Sequence, residues 1–195
     1  MKRQFLSEMM AKGLAETGIE GSFASVSCST AGDYPSLGLS QWEGPRADAL
    51  LLSIPGGADF MGMSYSQLEG EHRLEALSAL LDSPAGRAAQ MAQLSADCER
   101  YVEVLERISS LTEPKCIVYA GMWCPTSDAV VCAFLRNRAH RADLNDLDVL
   151  HQLFYTEYAR AADVMEYEAG YQHRAERTYQ FCDTLKWING LGIRC

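Results

Sequence analysis

The chain has 195 residues, enough for one domain that buries roughly 70% of its unfolded surface. At 48% hydrophobic and 22% charged residues it reads as globular rather than disordered, and no apolar run approaches the roughly 18 residues of a membrane span. The formal charge of -9 speaks against a nucleic-acid partner, whose phosphates need a basic face, and offers no long-range attraction to an anionic polymer.

Residues 2–16 read as a helix, because Phe5, Leu6, Met9, Met10 and Leu14 fall on one side at 3.6 residues per turn, with Gly18 as the stop. The start, Met1 to Gln4, lacks the apolar core and cleavage site of a secretory signal. A protein made in the cytosol is therefore expected, one that needs release to act outside. A Ser- and Gly-rich stretch follows, in which Ala24, Val26 and Cys28 alternate with Ser25 and Ser27 as in a short strand. Asp33 to Ser36 reads as a turn and Leu37 to Trp42 as the second strand, and this hairpin is the only β-structure expected.

Beyond Gly44 the pattern is helical. Pro45 opens a helix to about Ser53, 54–63 is a loop, and a helix spans about Tyr65 to Leu81. A long helix from Ser83-Pro84 to about Ile108 carries Met91, Leu94, Cys98, Val102, Leu105 and Ile108 on one stripe. Pro114–Met122 and Ser127–Arg138 flank a break at Cys124-Pro125. Asn145 is expected to cap a helix through Leu147, Leu150, Phe154, Tyr158, Ala161 and Met165 that Gly170 ends. A last helix, about Gln172 to Ile188, buries Ala175, Tyr179, Cys182, Leu185 and Ile188. No repeat or linker divides the chain, so a single domain over 1–195 is expected.

Seven cysteines form no CxxC pair and none stands beside a histidine at ligand spacing. Their odd number excludes a complete set of internal disulfides. Reduced, mostly buried thiols are expected, with no zinc and no cofactor. Asp143, Asn145, Asp146 and Asp148 lack the glycine and distal glutamate of a calcium loop and read as helix caps.

Glu16 is the residue with the most chemical promise. It lies eleven residues after Phe5, about three turns, at the edge of the apolar face. A carboxyl at such an edge is half withdrawn from water, which disfavours its charged form, and cleavage of a glycosidic bond needs an acid still protonated near neutral pH. The alternative is an ordinary solvated helix-end glutamate. Asp33, seventeen residues on, is either a second carboxylate or a residue chosen for its turn. In the segment that follows, Gly38 permits close approach of a sugar, Ser40 and Gln41 can hold hydroxyls, and Trp42 is either a stacking face or a core residue. Tyr34 joins this group. Tyr119, Trp123 and Tyr171 are core aromatics or groove walls, and Arg136, Asn137 and Arg138 are further candidates for substrate carboxylates. The four histidines have no Ser or Cys partner at a recognisable spacing.

Ala15-Glu16-Thr17-Gly18, then a polar stretch, then Gly38-Leu39-Ser40-Gln41-Trp42-Glu43-Gly44-Pro45-Arg46 resembles the catalytic segment of the lysozyme-like superfamily, and is most similar to phage tail and endolysin muramidases. Ser83 to Gln90 resembles a helix start in chitosanases of that superfamily, and Tyr167 to Arg177 the closing helix of phage muramidases. The likeness is good over 9–52 and patchy over 83–107 and 165–182. Thr17 stands where serine is usual, and the loop between Glu16 and Gly38 is this chain's own.

The resemblance implies a mainly α, lysozyme-like fold with a small β-hairpin lining the cleft. It also implies a monomeric peptidoglycan hydrolase, phage or prophage encoded, with Glu16 as proton donor and Asp33 as second carboxylate. Tyr34, Ser40, Gln41 and Trp42 would bind the sugar, with no cofactor, nucleic acid or membrane involved. A chitosanase or lytic transglycosylase, and a wall-binding tail component without activity, are the alternatives it leaves.

Overall fold

Leu6, Met10 and Leu14 recur every four residues and are fully buried, and they make helix α1 (Lys2–Thr17). Gly18 ends it with φ +58, a left-handed conformation that glycine adopts without strain, and its N–H bonds the Leu14 carbonyl at 3.2 Å. The computed structural model describes residues 2–161, 167–188 and 191–194. The fold is mainly α with small antiparallel hairpins. The chain forms two compact units: Met1–Ile19 with Asp97–Cys195, and Glu20–Ala96. Among the described residues no helix is long and apolar enough to cross a membrane.

In the first unit α1 packs on α6 (Pro114–Gly121) and α10 (Glu168–Asp183). Gly13 makes the close approach possible. A Cβ there would meet Met122 Sδ at 2.6 Å and Phe181 Cε1 at 2.7 Å, well inside van der Waals contact. Helix α6 is buried from Cys116 to Gly121, the pattern of a central helix. Helix α7 (Cys124–Arg136) bends at Ser127, whose backbone is extended (φ −177°, ψ 112°). The chain breaks slightly after the predicted point, because Pro125 is tolerated in the helix's first turn.

Helix α8 (Leu147–Gln152) runs on through a π-helical stretch, Leu153–Tyr158, and one further turn, α9 (Ala159–Ala161). Its cap is Asp146, which accepts from the N–H groups of Asp148 and Val149, and not the predicted Asn145. Asn145 instead accepts from the backbone of Thr112 and Glu113 and donates to Ser110, closing the loop before α6. Gly170 lies inside α10, so it does not end the preceding helix. Met165, placed on that helix by the sequence, is outside the described residues.

The predicted last helix stops at Asp183, five residues early, and Leu185–Ile188 (β3) pairs antiparallel with Leu191–Arg194 (β4). Leu185 and Ile188 fit a helical spacing by coincidence. Trp187 and Ile188 favour strands, and the sequence Asn189-Gly190, outside the described residues, is a strong short-range hairpin signal.

In the second unit β1 (Val26–Cys28) pairs with β2 (Pro35–Leu37), Val26 against Leu37 and Cys28 against Pro35. The predicted second strand is displaced, since β2 ends where that strand was to begin. Pro35 is compatible with a strand's first residue, whereas Gly38 (φ +66) and Gln41 (φ +47) turn left-handed and wind Gly38–Ser40 into a 3-10 turn. Leu37 and Trp42 then exchange both backbone hydrogen bonds, at 2.9 and 3.0 Å, which closes the loop.

Helix α2 (Pro45–Leu52) follows. The predicted helix over 65–81 is two, α3 (Tyr65–Gly70) and α4 (Leu74–Asp82). His72 breaks them with φ +56, and the Arg73 N–H turns back to the Leu68 carbonyl at 2.8 Å. A capping box of Ser64 and Gln67 starts α3. Helix α5 (Pro84–Leu105) begins in this unit and continues into the other.

Candidate active site

Glu16 sits in the last turn of α1 as an exposed residue, its side chain 38% exposed, rather than the half-withdrawn carboxyl its spacing from Phe5 predicts. Lys12, one turn earlier, brings Nζ to 3.8 Å from its carboxylate. Thr17 is buried and its hydroxyl donates to the Gly13 carbonyl at 2.6 Å, so that hydroxyl is spent inside the helix. Glu16 and Thr17 line an open depression of about 200 Å³ together with Arg177, Gln180, Phe181 and Thr184. These four partners come from the end of α10, some 160 residues further along the chain. The first unit thus provides one carboxylate, one guanidinium and one carboxamide around a single depression, a set suited to hydroxyl and carboxylate groups.

The other predicted site residues belong to the second unit. Asp33 is exposed, and its Oδ1 accepts from the Ser66 N–H at 2.9 Å and the Ser66 hydroxyl at 3.0 Å. The backbone N–H of Ser66, with help from the Ser66 and Ser64 hydroxyls, holds its carboxyl below the usual range against a smaller opposing effect of burial. Asp33 therefore ties the hairpin tip to the start of α3, a longer-range contact than the local turn bond expected from the sequence. Tyr34, 36% exposed, lines the same depression of about 180 Å³ as Asp33, along with Asp48, Phe60 and Met63.

Within the Gly38–Trp42 segment Gly38, Gln41 and Trp42 are committed internally. The space expected to admit a sugar at Gly38 is filled by the side chain of Gln90. Gln41 accepts from the Ser27 hydroxyl at 2.6 Å and donates to the Gly38 carbonyl at 2.9 Å. Trp42 is 1% exposed, so it has no open face on which a sugar could stack, and Ser40 is half-buried in the 3-10 turn. The Ser36 hydroxyl donates to Glu43.

Sequence reasoning missed Gln90. Fully buried in α5, it accepts from the Leu39 N–H at 3.0 Å and donates to the carbonyls of Leu81 (2.9 Å) and Phe23 (3.1 Å). One side chain thereby satisfies three segments of its unit. The polar residue at a helix-interior position within the apolar stripe was the available signal.

The remaining candidates divide similarly. Tyr119 and Trp123 are fully buried core residues, and Trp123 stacks in an aromatic cluster with Phe154, Tyr158 and Tyr171. Tyr171 lines a separate depression of about 300 Å³ beside Phe134, Tyr158 and Arg138. Arg138 stacks over Phe134 and pairs with Glu157 at 3.0 Å, and Arg141 reaches the same carboxylate at 2.5 Å. His151 faces the Tyr119 hydroxyl at 3.3 Å through Nδ1, and burial pushes it below its ordinary value. Cys98, Cys116, Cys124, Cys132 and Cys182 are buried free thiols and Cys28 an exposed one, while Cys195 lies outside the described residues. Burial raises the Cys116 thiol to about 12, which makes it a poor nucleophile. Among the described residues no cluster of three or more His, Cys, Asp or Glu side chains is arranged to hold a metal ion.

Comparison with known families, with curated proteins and with solved structures returns no match for this chain.

Proposed function

We propose that the chain is a peptidoglycan hydrolase of lysozyme-like fold, cutting the β-1,4 bond between N-acetylmuramic acid and N-acetylglucosamine with Glu16 as general acid. The observation that carries this reading is the position of Glu16. It closes α1, within the Ala-Glu-Thr-Gly pattern, and lines a depression whose other polar groups are Arg177, Gln180 and Thr184. In the reaction Glu16 gives its proton to the leaving glycosidic oxygen as positive charge develops on the sugar ring, and water completes the hydrolysis. The Gly38–Trp42 segment then serves by fixing its unit's backbone, and Asp33 by anchoring the hairpin tip.

Glu16→Gln keeps the side chain's shape but has no acid proton to give. It is expected to lower the rate of wall clearing by about 10² to 10⁴ with the thermal midpoint nearly unchanged. Retention of more than about a tenth of the activity would overturn the assignment. Mass spectrometry of the products separates hydrolysis from transglycosylation, which leaves anhydro ends, and a substrate panel separates muramidase from chitosanase.

A second reading, wall binding without cleavage, is favoured by the Lys12 ammonium 3.8 Å from the Glu16 carboxylate, an ion pair that a binding surface can hold without any chemistry. A binder of this kind sediments with sacculi and does not clear them.

A further inference from the structure

Arg177, Gln180, Phe181 and Thr184 are spaced three, four and seven residues apart, so at the end of α10 they share one face. All four line the Glu16 depression. Phe181 is the buried anchor of this face, 4% exposed and seated in the space left by Gly13. Arg177 and Gln180 are exposed, and neither side chain makes a hydrogen bond or ion pair among the described residues. That is unusual in this chain. Acidic residues outnumber basic ones, 26 to 17, and Arg3, Arg87, Arg100, Arg107, Arg138 and Arg141 each pair with a carboxylate. A guanidinium left unpaired beside a candidate catalytic acid has its planar fork available for a carboxylate from outside.

We propose that Arg177 binds a carboxylate of the substrate and makes the Glu16 depression selective for acidic wall sugars over neutral amino-sugar polymers. This rests on the reading of that depression as the glycan site. The overall charge of -9 repels an anionic polymer, so recognition of its carboxylates requires a local cation, and Arg177 supplies one. In peptidoglycan the carboxylate comes from the lactyl group of the muramic sugar or from the stem peptide attached to it. Gln180, one turn along the same face, is placed to take a neighbouring hydroxyl or acetamido group.

The test is calorimetric binding of three ligands: chitobiose, the disaccharide N-acetylglucosaminyl-N-acetylmuramic acid, and the same disaccharide carrying its stem peptide. None contains the bond assigned to Glu16, so binding is read without turnover. At least one acidic ligand is expected to bind wild type about tenfold more tightly than chitobiose, the scale of one charge-assisted contact. Arg177→Gln should abolish that preference and leave chitobiose unchanged, and Arg177→Lys should recover part of it. The tighter acidic ligand identifies the source of the carboxylate. Equal affinity of wild type for all three ligands, no binding of any, or a preference that survives in Arg177→Gln overturns the proposal. The hydrolase reading fails separately: a protein that prefers the acidic disaccharide through Arg177 yet clears no wall keeps this inference and loses that one.

Discussion

In the Gly38–Trp42 segment three of the four candidate residues, Gly38, Gln41 and Trp42, are already engaged. Gln90 fills the space at Gly38, Gln41 is held by Ser27 and by the Gly38 carbonyl, and Trp42 is buried. Around Glu16 the opposite holds for Arg177 and Gln180, exposed side chains without a partner among the described residues. The difference separates two meanings of a motif. The segment with the more elaborate sequence pattern owes that pattern to folding, because a left-handed glycine, a left-handed glutamine and a buried indole define one tight loop. The depression with the plainer pattern keeps its polar groups available for a ligand. In this chain that string of residues marks a tight loop rather than an open binding surface.

The largest effect that bears on this contrast is expected at Trp42. If the indole is structural, Trp42→Ala should cost about 3–5 kcal/mol in denaturant unfolding, as for other buried aromatic truncations. Trp42→Phe should remain folded with KM for wall glycan unchanged. A Phe variant as stable as wild type but with KM raised tenfold would reverse the comparison and restore Trp42 as a stacking face.

Much of the helical framework was legible, because Leu6, Met10 and Leu14 or Leu94, Cys98, Val102 and Leu105 repeat at a helical period that burial enforces. The misread places share a physical cause. His72 and Gln41 take positive φ without being glycine, and backbone conformation of that kind leaves no periodic trace. Asp183 ends α10 where Leu185 happened to continue the helical spacing. In the candidate site, Glu16 stood out in the sequence by its position beside a helical stripe. Arg177 and Gln180 were not, since only tertiary packing at Gly13 brings the end of α10 to α1. The four-residue pairing of Arg177 with Phe181 was visible as a pattern, but nothing local said which helix it would meet.

A smaller effect is expected at Gln90. Gln90→Leu matches the side chain in size but leaves the Leu39 N–H and two carbonyls without their partner, two of those three bonds being wholly buried. A loss of about 2 kcal/mol follows from the usual cost of unsatisfied buried groups. Because Leu39 lies inside the Gly38–Trp42 loop, hydrogen exchange at its amide should accelerate more than at Leu14 in α1. Equal acceleration at both amides would mean that the loop is not held by this one side chain.

The smallest effect concerns Asp33, and it decides whether the second unit provides chemistry as well as a framework. Its Oδ1 takes both Ser66 donors, and an amide oxygen can accept the same two bonds, so Asp33→Asn should keep the hairpin tip joined to α3. Wall-clearing activity should then stay within about twofold of wild type, the margin left by the loss of one exposed charge. The pH dependence supplies an independent check. Asp33 has its carboxyl lowered in the folded state, chiefly by the Ser66 N–H, so the unfolded chain takes up its proton first as the solution is acidified. The stabilisation is fully present above the ordinary carboxylate range and is lost as pH falls through the lower folded-state value. Asp33→Asn should therefore flatten the acid limb of the stability curve, below about pH 4, its cost relative to wild type being greatest at neutrality and vanishing in acid. Loss of most clearing activity in a variant with an intact fold and a flattened acid limb would show that the carboxylate itself reacts, as the base of an inverting hydrolase, with products of inverted anomeric configuration.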